Sequence, residues 1–181
     1  MDELQDLVEQ ARDGSPQAFA AIYECLVRQV AGYLRSRGVP DVEDVTSEVF
    51  LAVFTGIGGF EGDGDRFRSW VFTIAHRRSV DHWRKAGRTP MTEPLESTDS
   101  GGEVPSAESS ALESIGDQRV LALLETLSPD QRDVLLLRII GDLTVDQVAV
   151  VLGKSPGAVK ALQHRGLAQL RRVVEAEGVT L

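Results

Sequence analysis

Apolar residues recur at three- and four-residue spacing through Phe19, Ile22, Tyr23, Leu26, Val27, Val30 and Leu34, which puts them on one face of a helix. Ser15 is positioned to cap that helix and Pro16 fits its first turn, where a missing N–H does no harm; Gly38 followed by Pro40 stops it. A second helix is expected from Asp41 to about Phe54. It turns Val42, Val45, Val49 and Val53 inward and leaves Glu43, Asp44, Ser47 and Glu48 largely on the opposite face. Five glycines between Gly56 and Gly64 then break the pattern and predict a loop. Helix resumes near Arg66 and runs to about Lys85, with Trp70, Ile74, Arg77 and Asp81 on one face and Phe67, Val71 and Arg78 beside it.

From about residue 86 to 117 the chain is rich in Ser, Gly, Pro and acid and has no hydrophobic period. Such a composition buries too little apolar area to offset ordering entropy, so a flexible acidic linker is expected over 88–117. It separates a domain of residues 1–87 from one of residues 118–181. In the second domain helices are expected at about 118–127, 129–140, 145–152 and 156–175. Ser128-Pro129 and Ser155-Pro156 are cap and first-turn pairs, Thr144 with Gln147 fits a capping box, and Gly141 and Gly153 are stops able to take positive φ. A short helix, a glycine turn and a second capped helix make a helix-turn-helix over 144–175. The fold class is therefore all-α, two small helical domains on either side of a linker.

Composition narrows the chemistry. The 181 residues carry a net charge of −9, but the charge is segregated: 89–117 holds seven acidic and no basic side chains, whereas 58–88 holds seven basic against four acidic and 153–181 five against two. No apolar run approaches the roughly 18 residues of a membrane span, and Met1-Asp2-Glu3-Leu4 is unlike a basic signal-peptide flank, so a cytoplasmic protein is expected. Cys25, the single cysteine, reads as a buried small hydrophobe. His76, His82 and His164 have no metal-ligand spacing, and no Gly-Lys-Ser/Thr follows the glycine-rich loop. No cofactor, metal or catalytic constellation is expected, and the chain does not read as an enzyme.

The basic stretches carry the chemistry instead. In a helix-turn-helix the second helix enters the major groove, and here it offers Lys160, Gln163, His164, Arg165, Arg171 and Arg172, with Ser155 at its start. The stretch from Arg66 to Lys85 mixes cations with Phe67, Trp70, Phe72 and Trp83. That mixture suits melted DNA, because guanidinium groups hold backbone while rings stack on unpaired bases; Phe72 and Trp83 individually read as core.

Three stretches in order, Asp41-Val42-Glu43-Asp44-Val45-Thr46-Ser47-Glu48-Val49-Phe50-Leu51, then Phe67 to Arg84, then Leu127 to Arg138 with the helix-turn-helix, resemble the extracytoplasmic-function sigma factors of bacterial RNA polymerase. The resemblance covers about residues 13–174. It implies polymerase binding at Asp41, Asp44, Glu48 and Phe50, and −10 recognition and melting by Phe60, Asp65, Arg66, Phe67, Trp70, Arg77, Arg78 and Arg84. It implies −35 contacts from Ser155, Lys160, Gln163, His164 and Arg165, and a pocket for a flipped base at the loop from Phe60 to Phe67. Its implied partners are the RNA polymerase core, through the β′ clamp coiled coil and the β flap, promoter DNA and, as often in the family, an anti-sigma factor, without membrane insertion. Ser47, Arg77, Leu162 and Gln163 depart from residues common in the family. A response-regulator type of helix-turn-helix protein would share the second half but not the first, and a helical adaptor or enzyme lacks a supporting constellation.

Free in solution, the chain is expected to bind duplex promoter DNA poorly and to gain specific binding only with core polymerase, because counterion release favours cations while the acidic background repels the duplex. A mobility-shift titration at physiological salt checks this; tight specific binding by the free chain is the contrary result.

Overall fold

In the computed structural model, which describes residues 2–85 and 119–176, the first part folds as α1 (Asp2–Arg12), α2 (Pro16–Ser36), α3 (Val42–Gly56) and α4 (Gly64–Lys85), with a 3-10 turn at Ile57–Gly59. The Ser15 hydroxyl accepts from the Ala18 N–H at 3.3 Å, which starts α2 where the pattern placed it. Ile22, Leu26, Val30, Tyr33 and Leu34 of α2 are fully buried, as are Val49 and Val53 of α3. Each such side chain contributes about 1.5–3 kcal/mol relative to exposure, which outweighs the few tenths that helix propensity supplies per residue. Two positions of α2 differ from expectation. Tyr23 is 41% exposed and Cys25 is exposed, because the packed stripe runs through 22, 26 and 30 and leaves both outside it.

Helix α1 lies outside the helices that the hydrophobic pattern delimited. It buries Val8 and Ala11 against α2 and also packs on the 3-10 turn and the start of α4. Helix α4 begins two residues earlier than expected because Asp63 caps it: its Oδ1 accepts from the Arg66 N–H at 2.8 Å. Its inward face is Phe67, Val71, Phe72 and Ala75 rather than the Trp70–Ile74–Arg77 row. Trp83 is half-buried against Gly38.

The second part comprises α5 (119–125), α6 (Pro129–Ile139), α7 (Val145–Leu152) and α8 (Pro156–Ala176). Both α6 and α7 open with complete capping boxes, Ser128 with Gln131 and Thr144 with Gln147. Leu135, Leu137, Leu143, Val148 and Val159 join them in one core. Gly153 ends α7 in the left-handed region (φ 62°, ψ 34°), so the N–H of Lys154 reaches back to the Ala149 carbonyl at 2.9 Å. Gly141 does not take positive φ. Asp142 does (φ 51°), and Gly141 is required for another reason: a Cβ there would stand 2.7 Å from the Leu137 carbonyl oxygen.

The two parts touch. Helix α7 packs on α4 and α6 reaches α2, where Arg37 and Asp133 form an ion pair with side chains only 7% and 14% exposed. All described elements are helical, and no described helix is long and apolar enough to cross a membrane. The expected linker, 88–117, lies outside the described residues. Replacing Gly153 by Ala is expected to cost about 1 kcal/mol, because a Cβ is disfavoured in the left-handed region, and replacing it by Asn distinctly less. Urea midpoints of the two variants against the parent chain measure this.

Candidate nucleic-acid interface

The α3 stripe that buries Val42, Val45, Val49 and Val53 leaves Asp41, Glu43, Asp44, Ser47 and Glu48 exposed together. Ser47 turns back on its own helix, its hydroxyl donating to the Glu43 carbonyl at 2.9 Å. Glu48 lies 3.6 Å from Arg78 of α4, both well exposed, a pair that water screens strongly. Phe50 is buried, 4% exposed, and stacks edge-on against Tyr23 at 4.7 Å, so it braces this surface from beneath rather than forming it. Leu51 and Phe54 are the exposed apolar side chains of α3, with Phe54 edge-on to Phe19 at 4.5 Å. Reading the sequence for charge overlooked them; the signal was present, since both fall off the inward valine row.

The glycine-rich loop closes over an aromatic cluster. Phe60, Phe67 and Trp70 have ring centroids 5.2–5.7 Å apart, and a Cβ on Gly56 would come within 3.0 Å of the Trp70 indole. Phe67 is fully buried, which corrects the expectation that its ring stacks on unpaired bases, and Phe60 is nearly so; Trp70 alone of the three stays partly exposed. Asp65, Arg66, Arg77, Arg78 and Arg84 are all exposed, Arg84 within 3.3 Å of Asp81. Arg68 is an anchor instead, donating to Gln29 of α2 at 2.7 Å.

Beneath the cationic face of α4, His76 Nδ1 and the Tyr33 hydroxyl share a hydrogen bond of 2.9 Å. Burial, and then the charges of Arg37 and Arg77, push the His76 pKa down to about 4, so the ring is neutral near pH 7. Burial also raises the Tyr33 pKa, keeping that hydroxyl protonated.

In the second part Ser155 caps α8 by accepting from the Ala158 N–H at 3.2 Å, and Lys160, His164 and Arg165 are exposed, Gln163 partly. An open cavity of about 450 Å³ beside α6 is lined by Gln131, His164, Arg165, Gln169 and Arg172. Lys154 in the turn is held by Asp130 at 2.9 Å. The expected −35 residues thus share one helix and its cap, and the exposed −10 residues share α4.

Residues 22–89 match the family model of sigma-70 region 2, and residues 117–170 match that of sigma-70 region 4. The ECF RNA polymerase sigma factor SigD of Mycobacterium tuberculosis is 32% identical over 190 residues, covering 98% of the chain and 86% of SigD. The chain belongs to the ECF RNA polymerase sigma factors. Another relative, the ECF RNA polymerase sigma factor BldN of Streptomyces coelicolor, is 34% identical over 173 residues, and the match spans 94% of this sigma factor but only 66% of BldN. Among solved structures, CnrH in complex with the cytosolic domain of CnrY aligns over 96% of this sigma factor and 98% of CnrH, with a TM-score of 0.71 and 28% identity.

The part-buried His76 gives this sigma factor a pH-dependent stability. In the unfolded chain His76 binds a proton near pH 6.5, in the folded protein only near pH 4, so stability falls as pH drops through that window. The full loss from this group is about 3 kcal/mol. His76→Gln is expected to flatten the decline between pH 6.5 and 4.5, read from urea unfolding at each pH.

Proposed function

We propose that this chain directs core RNA polymerase to specific promoters and assists their melting at transcription initiation. The observation that carries the reading is the order of sigma-70 regions 2 and 4 along the chain, with exposed cations on α4 and on α8 of an otherwise acidic protein. Residues 1–87 form the polymerase-binding and −10 domain, 88–117 the tether and 118–181 the −35 domain. Asp41, Asp44 and Glu48 dock on the basic β′ clamp coiled coil, with Leu51 and Phe54 adding apolar contact beside them. The second domain meets the β flap.

On DNA, the N-terminus of α8 enters the major groove of the −35 element, with Ser155, Lys160, Gln163, His164 and Arg165 facing bases and phosphates. Arg66, Arg77, Arg78 and Arg84 hold backbone around the −10 element while the loop with Asp65 takes a flipped base. Stacking is worth about 1–3 kcal/mol per base, and unstacking a base costs a few. With Trp70 the one partly open ring of the loop cluster, stacking there offsets a fraction of that cost, so phosphate contacts and the polymerase supply the rest. The protein acts in the cytoplasm, is not itself an enzyme and uses no cofactor. The likeness to CnrH, solved with the cytosolic domain of CnrY, supports an anti-sigma partner.

The test is holoenzyme assembly followed by run-off transcription from a genomic promoter pool. Asp44→Arg with Glu48→Arg should abolish assembly while leaving the helical spectrum intact, since like charges juxtaposed at an interface cost several kcal/mol. Lys160→Ala or Arg165→Ala should assemble normally but weaken capture of duplex promoters, and Trp70→Ala should spare capture but reduce permanganate reactivity of unpaired thymines. Unchanged core affinity in the charge-reversed variant overturns the docking assignment.

A further inference from the structure

Helix α1 precedes the sigma-70 region 2 match, which begins at residue 22, and none of the proposed contacts to polymerase or DNA falls on it. Its apolar stripe holds it down, Val8 and Ala11 buried and Leu4 and Leu7 partly so, against α2 and the core. From that seat it supports the glycine-rich loop at both ends, packing on the 3-10 turn, where Ile57 is buried, and on the start of α4. Gly64, the first residue of α4, is buried with an ordinary φ, so room rather than backbone freedom is what demands a glycine there. A Cβ at that position would stand 3.2 Å from the Gln5 backbone nitrogen and 3.6 Å from the Leu4 carbonyl carbon, atoms of a helix backbone that cannot swing aside. The Gln5 side chain is sealed in the same region: its Nε2 donates to Glu9 at 2.6 Å, while its Oε1 is withdrawn from water with no hydrogen-bond partner among the described residues. On the outer side of the turn a Cβ on Gly58 or Gly59 would meet nothing within 4 Å. The loop is thus closed on one side by α1 and open on the other.

We infer that α1 is a positioning element for the −10 loop: its backbone, seated on Gly64 and on the turn Ile57–Gly59, sets where the loop stands relative to α4 and so governs which base is accepted at the flipped position. The inference rests on the proposed function, since it concerns the pocket assigned there to the loop. Glu3, Asp6 and Glu9 are exposed along α1, and their charge opposes a phosphate backbone, so α1 acts through the loop rather than by touching DNA. The path is continuous. The Asp63 carboxylate caps α4 beside Gly64, and Phe60 joins the loop to the aromatic cluster, its ring 5.2 Å from that of Trp70. A shift of α1 therefore moves the turn, the cap and Phe60 together, whereas the acidic face of α3 and the exposed face of α8 belong to other elements.

The test loosens α1 from the side remote from the loop. Leu4→Ala with Leu7→Ala, in the full-length chain, should leave affinity for core polymerase and capture of −35 duplex unchanged. Holoenzyme binding to single-stranded −10 oligonucleotides, each substituted at one position, reads the discrimination. The parent should prefer one base at the flipped position by on the order of tenfold, and the double variant should lose most of that preference. Gly64→Ala, which presses on the same contact from the loop side, should give the same loss, and combining it with the double variant should cost little more. Val30→Ala, a truncation in the core of α2, should lower the urea midpoint as any loss of packing does and yet keep the preference. In the free chain, with Trp83→Phe leaving Trp70 the only tryptophan, acrylamide quenching of Trp70 should rise in the double variant and not in Val30→Ala. Base preference retained in the double variant, or lost equally in Val30→Ala, overturns the inference. A parent holoenzyme without base preference at any −10 position would count against the pocket reading instead; Trp70 quenching then decides alone, and no change in the double variant overturns the role of α1.

Discussion

Tyr33 sits fully buried where α2 meets α4, and the positions of both candidate faces follow from how its ring and hydroxyl are used. The ring meets Phe72 edge-on at 5.7 Å, which locks the middle of α4 against α2. The hydroxyl bonds His76 one turn further along, and the guanidinium of Arg37 lies 5.8 Å above the ring. Anchoring α4 in this way leaves Arg77 and Arg78, the neighbours of His76, pointing to water. It also holds Arg37 at the edge of α2, where it reaches Asp133. A single aromatic residue thus orders the core, presents the cationic row and orients the charge at the seam between domains.

Charge is partitioned with the same economy. Buried positions in the first domain are almost wholly apolar, so every acid of α3 and most cations of α4 are forced onto the surface, and helical geometry sorts them onto separate faces. The acidic face suits a basic protein partner and the cationic face suits phosphate. The contact between Glu48 and Arg78 marks where the faces meet, and its exposure makes it easy for either partner to replace.

Helix starts were legible in the sequence because a cap is a local signal. Ser15, Ser128, Thr144 and Ser155 each bond an N–H three residues on, and the pattern of apolar positions placed α2, α3, α7 and α8 within a residue or two. Burial decided by distant elements was not legible. Phe67 read as a free aromatic beside arginines, but the loop folds Phe60 onto it and onto Trp70, and both phenylalanines enter the core. Gly141 read as a left-handed stop, whereas its role depends on the Leu137 carbonyl beside it and the reversal falls to Asp142. Of the site, the exposed charges were found, while Leu51 and Phe54 were passed over because an apolar residue on an amphipathic helix reads by default as core. The pairing of Arg37 with Asp133 joins residues far apart in sequence and leaves no local trace.

The reciprocal caps of α6 and α7 bear on the order in which the molecule folds. Each satisfies its first-turn donors with residues three positions apart, which lowers the nucleation barrier of helices too short to persist alone. The helix-turn-helix unit then completes its core from neighbours close in sequence. The first domain cannot do so: Gln5 and Leu4 of α1 settle against Gly64, about sixty residues away, and that loop must close before the contact contributes anything. The helix-turn-helix unit therefore draws on contacts closer in sequence, whereas α1, though it meets its neighbour α2 locally, gains its contact with the start of α4 only once the intervening chain has closed.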